Sequence, residues 1–87
     1  MDLLTPFKYH QWKEDMEMQI RFKRLFRLTM ETEAEPIHYV DKEKYWNRLD
    51  EAYGCLWLSI SRDILFHING LMTPKEVWDK LASLFDK

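Results

Sequence analysis

The sequence predicts an all-α fold, a compact bundle of about five helices. Through most of the chain large apolar side chains return at three- and four-residue steps, the spacing that gathers them on one side of a helix. Two Gly and three Pro in 87 residues leave few turn formers, which disfavours the many tight turns of a small β-protein. Four Trp, four Tyr, five Phe and five Met are bulky for so short a chain, and they must largely bury one another to offset chain entropy. The length fits a single domain spanning residues 1–87.

The first helix starts near Tyr9 and carries Tyr9, Trp12, Met16 and Ile20 along a narrow stripe. Continued further, that helix would bury Lys23, Arg24 and Arg27, so a break is expected near Phe22, with a short second helix to about residue 28. The acidic stretch Glu31, Thr32, Glu33, Ala34, Glu35 lacks large apolar groups and runs into Pro36, which biases Glu35 away from helical angles, so it reads as a loop. The longest helix is expected over residues 41–60. Its stripe holds Tyr45, Trp46, Leu49, Ala52, Tyr53, Leu56, Trp57 and Ile60, and Asp41 is a suitable N-cap. Ser61 or Asp63 is placed to cap a short helix with Ile64, Leu65 and Ile68, which Asn69-Gly70 would end. Thr73-Pro74-Lys75-Glu76 has the residues of a capping box, and Val77, Trp78, Leu81, Leu84 and Phe85 form the stripe behind it. The expected core is Trp12, Met16, Ile20, Trp46, Leu49, Tyr53, Leu56, Trp57, Trp78 and Leu81.

Thirteen Lys+Arg against fifteen Asp+Glu give a net charge of −2, which offers no general attraction to nucleic acid or an anionic membrane. Arg21, Lys23, Arg24 and Arg27, interleaved with Phe22 and Phe26, are the one stretch placed for phosphate contact, and its plainer reading is a solvated helix face. Cys55 is a single cysteine with no internal disulfide partner, and no apolar run is long enough for a signal or membrane segment, so a cytoplasmic setting is expected. Ser59, Ser61, Asp63 and His67 include hydrolase residue types, but nothing in the sequence orients them as nucleophile and base. His10, His38 and His67 lack ligand spacing. The expectation is a chain that is not an enzyme and needs no metal or cofactor. Met18, Cys55 and Leu58 point away from the main stripes; Met18, Phe22 and Leu58 are the candidate interface, although Leu58 has the short second helix as an alternative neighbour.

Tyr9-His10-Gln11-Trp12 with Met16, then Leu25-Phe26, the Trp46 helix, and Thr73-Pro74-Lys75-Glu76-Val77-Trp78-Asp79-Lys80-Leu81 together resemble the Gag polyprotein of Copia-type retrotransposons. The order runs over nearly the whole chain, although Phe7-Lys8 stands where Gly-x-Asn often precedes the Tyr, and Phe85 where Tyr is commoner. The resemblance implies a capsid N-terminal-type helical domain that associates with itself or with other Gag chains into a shell. The second capsid half and the Cys/His zinc knuckle of such a Gag have no counterpart in this sequence, so RNA binding through this domain is expected to be weak, with no membrane partner. Two alternatives accompany it: a Gag-derived host module that binds or disturbs capsid assembly, and a small helical nucleic-acid-binding domain.

Overall fold

Tyr9, Trp12, Met16 and Ile20 are all buried on one side of α1 (Tyr9–Phe22), as their spacing predicts. The computed structural model describes residues 3–30 and 34–86. After α1 the order is α2 (Phe26–Thr29), α3 (Tyr39–Leu58), α4 (Arg62–Ile68) and α5 (Pro74–Phe85), an all-α bundle. Among the described residues the β-structure is a single bridge, Leu4 with Ile60.

The break after Phe22 is built by two backbone bonds. Leu25 N–H donates to the Ile20 carbonyl at 2.8 Å and Arg24 N–H to the Arg21 carbonyl at 2.9 Å. This is the Schellman pattern, whose left-handed residue is usually glycine. Here it is Arg24, at φ 60°. Leu25 and Ile20, the apolar pair that normally accompanies the motif, are both in the core. The chain thus reverses its buried side, and Leu25 and Leu28 enter the core in place of the arginines. Of the expected acidic loop, Ala34, Glu35 and Pro36 are non-helical, and Glu31, Thr32 and Glu33 lie outside the described residues.

The long helix begins and ends two residues earlier than expected. His38 occupies the N-cap position, and Asp41 falls inside the first turn, where its carboxylate faces the positive end of the helix dipole instead of capping. At the other end Ile60 leaves the helix for the bridge: Leu4 N–H donates to the Ser59 carbonyl at 2.8 Å and Ser61 N–H to the Leu4 carbonyl at 3.2 Å. Trp12 Nε1 donates to the same Ser59 carbonyl at 3.1 Å. An apolar N-terminal residue, Leu4, is thereby fully buried.

Trp46 corrects the expected core: it is 50% exposed. At about 1.5 Å per residue, α3 spans about 30 Å. It packs on α5 and on the single turn of α2, and its first two turns leave Tyr39, Val40 and Trp46 exposed. Its fully buried residues are Ala52 and Leu56, in the second half. Leu49, Tyr53, Trp57 and Trp78 are half-buried and packed against the core, while Leu56 and Leu81 lie within it.

At α4, Ser61 stands at the N-cap, but its hydroxyl makes no capping bond. Its carbonyl accepts from Ile64 and Leu65 N–H instead. Asn69 ends the helix, and Gly70 turns the chain at φ 92°, where a Cβ is unfavourable. At α5, Thr73 Oγ1 accepts from Glu76 N–H at 3.2 Å, while the Glu76 carboxylate accepts from Met72 N–H at 3.1 Å, one residue before the expected cap amide. Tyr53 Oη donates to the Leu71 carbonyl at 2.8 Å and pins the connecting loop to α3. Aromatic pairs join α1 to α5: Tyr9 with Phe85 at 5.6 Å and Trp12 with Trp78 at 5.8 Å.

Candidate interaction surfaces

The expected interface residues are exposed, Met18 at 60%, Phe22 at 87% and Leu58 at 77%. Leu58 does not pack beneath α2. It stands on the outward side of α3, between two shallow depressions. One, of ≈ 300 Å³, is lined by Leu3, Gln19, Lys23, Cys55, Leu58 and Ser59. The other, of ≈ 480 Å³, lies over Tyr53, Gly54, Trp57, Asn69 and Gly70 on the far side of Leu58. Gln19 on α1 and Lys23 at its C-cap follow Met18 and Phe22 by one position each, so the three expected residues border neighbouring surface without converging in one pocket. Cys55 is half-buried, and Lys23 Nζ donates to its Sγ at 3.6 Å.

Further along α3, Trp46, Leu49, Asp50 and Tyr53 with Leu71, Met72, Thr73 and Pro74 enclose a groove of ≈ 430 Å³. The Trp46 indole N–H donates to Glu35 Oε1 at 3.0 Å, which ties the front of α3 to the preceding segment. Tyr53 stacks on Trp57, with centroids 6.2 Å apart, and belongs to both this groove and the depression beside Leu58. A helical stripe alone does not distinguish a fully packed face from this half-open one. The N-terminal Leu3 and the loop residue Met72, both exposed, were not singled out by periodicity because neither lies on a helix.

The basic cluster divides. Arg21, Arg24, Phe26 and Arg27 line, among the described residues, one cleft of ≈ 370 Å³. Lys23 is directed to the Cys55 side instead, because residues two apart on a helix differ by about 200°. The Arg21 guanidinium lies over the Phe26 ring, 3.8 Å from its centroid, and 3.7 Å from Glu17. Arg48, which the sequence reading did not include, donates through Nη2 to the Arg24 carbonyl at 2.7 Å and holds the left-handed turn from α3.

At the opposite end, Lys13 Nζ meets Asp86 Oδ2 at 3.2 Å and lies 5.9 Å from the Tyr9 centroid. Burial raises the Tyr9 pKa above its ordinary value, with the Lys13 charge opposing and the Asp86 charge assisting. The hydrogen bond that the Lys13 ammonium donates to the Asp86 carboxylate raises the Lys13 pKa.

The Ser59 hydroxyl is buried and donates to the Leu56 carbonyl at 2.8 Å, while Asp63 and His67 are exposed. Among the described residues no group of three or more His, Cys, Asp and Glu is placed to hold a metal ion. No described helix is long and apolar enough to cross a membrane. No family profile, curated protein or solved structure matches the chain.

Proposed function

We propose that this domain is a structural, non-catalytic module of the Copia Gag type, which associates with further copies of itself in a cytoplasmic setting. The supporting observation is Leu58: a large apolar side chain, 77% exposed, that forms the ridge between two shallow depressions of mixed lining. A water-exposed ridge of this kind gains by burial against a partner. A second copy suits it because the net charge of −2 opposes self-contact only weakly. The outer side of α1 also supplies protruding apolar groups, Met18 and Phe22. Protrusions on one copy meeting depressions on the next give a head-to-tail contact, the type that builds rings and extended arrays. Each contact is small, and the array gains by multiplicity. RNA is held only weakly through this domain, since the net charge repels a long polyanion.

Sedimentation over a wide concentration range tests the reading. Wild type is expected to associate weakly, and Leu58→Glu and Met18→Glu to associate less while keeping wild-type circular dichroism, because an unpaired charge resists desolvation. Strictly monomeric behaviour at high concentration, both alone and mixed with a longer Gag chain, would refute it.

A further inference from the structure

Arg24 occupies the position in the Schellman turn where glycine is the usual residue, and a side chain there is strained. Local structure does not favour arginine at this position. Strain of this kind collects where a side chain has a further use. The Arg24 guanidinium meets no carboxylate among the described residues, and it shares its cleft with Arg21 and Arg27. Arg21 lies over the Phe26 ring, 3.8 Å from its centroid, a cation–π contact that restrains the side chain at the cleft while its N–H groups can still donate to a ligand. Among the described residues its acidic neighbour is Glu17, which stands at 3.7 Å and is partly exposed, a weak competitor.

We infer that the cleft formed by Arg21, Arg24 and Arg27 around Phe26 is a binding site for a compact, multiply charged phosphate anion. Guanidinium forks match phosphate oxygens in pairs, and those of Arg21 and Arg24, with the Arg27 charge on the same cleft of ≈ 370 Å³, fit a group the size of a short oligophosphate. The shared chemistry is the phosphate group, available from a free oligophosphate or from an RNA backbone. The compact source is the one proposed. A long polyanion would extend beyond the cleft along a chain of net negative charge, whose sequence continues directly into Glu31, Glu33 and Glu35. The site is independent of the self-association reading, because it lies on the α1–α2 turn and shares no residue with the Leu58 depressions.

The test is calorimetric titration of the whole chain with inorganic tripolyphosphate, and separately with a single-stranded RNA oligonucleotide lacking terminal phosphates. Wild type should bind tripolyphosphate at one site, more weakly as salt rises, and more tightly than it binds the RNA. Arg24→Gly suits the left-handed turn, so its melting temperature should hold or rise while affinity falls roughly tenfold or more, the loss of a charged hydrogen bond. Arg21→Gln, which leaves the turn residue in place, should weaken binding similarly, and Lys23→Ala, on the other side, should not. If Arg24→Gly unfolds, the Arg21→Gln and Lys23→Ala pair decides alone. The inference is overturned by no tripolyphosphate binding in wild type, by equal loss in Lys23→Ala, by wild-type affinity in a folded Arg24→Gly or in Arg21→Gln, or by tighter binding of the RNA.

Discussion

Among individual side chains, the tryptophans differ by location more than by chemistry. Trp12 is 3% exposed and its indole N–H bonds the Ser59 carbonyl, so Trp12→Ala should cost about 3–5 kcal/mol. Trp12→Phe keeps much of the packing and loses the hydrogen bond, a smaller loss of about 1 kcal/mol beyond any change in packing. Trp46→Ala, on the open front of α3, should stay below about 1 kcal/mol. Urea denaturation of the three variants checks the order, and equal losses at Trp12 and Trp46 would contradict the placement of α3. Tyr9 and Lys13 give a pH signature. Both have folded-state pKa values raised above their unfolded ones, so each contributes stability that is fully present below its unfolded value, about 10 for both. That contribution disappears as pH rises through the folded values. Melting temperature should therefore fall in the alkaline range above about pH 10, and less steeply in Tyr9→Phe, which has no proton to lose there. Identical alkaline slopes in the two proteins would contradict the raised Tyr9 value.

For the elements, local chemistry governs the ends and tertiary contact governs the faces. Thr73 caps α5 with a side-chain bond, so Thr73→Ala should cost about 1 kcal/mol, whereas Ser61→Ala should cost much less because Ser61 makes no capping bond. Thermal melts of the pair separate a cap that bonds from one that only occupies the position. Gly70→Ala meets no nearby atom but does meet the positive φ, and a loss of about 1 kcal/mol is expected from backbone strain alone. The same local logic makes Arg24 exceptional: its turn forms despite the residue, held by Arg48 from α3 and by burial of Leu25 against the core.

In the molecule as a whole, a bundle 43 × 26 × 21 Å across takes part of its core from a segment without helix. Leu4 is fully buried and its backbone joins the α3–α4 link, while Trp12 of α1 bonds the same Ser59 carbonyl. Leu4→Ala should lower stability by about 2–5 kcal/mol, comparable to a central core position. For a domain this small that is a large share of the total, so the measurement is a denaturant midpoint at low temperature. Self-association carried by Leu58 should persist or strengthen as salt rises, because apolar burial is not screened. Association that vanishes at moderate salt would point to charge contacts instead.

The sequence by itself determined the helical class, the buried stripes of α1 and α5, the break after Phe22 and the Thr73 cap, because each depends on residues within a few positions of one another. Periodicity also identified Met18, Phe22 and Leu58 as outward-facing. Tertiary structure decided what depends on the lengths and meeting points of separate elements. It left Trp46 half-exposed on an open groove beside the start of α5, and it buried Leu4 through a bridge to a residue 56 positions away. It also removed Lys23 from the arginine cluster while adding Arg48 behind the turn. A stripe fixes which side of a helix is apolar. Whether that side is covered along its whole length depends on how far the partner helix reaches.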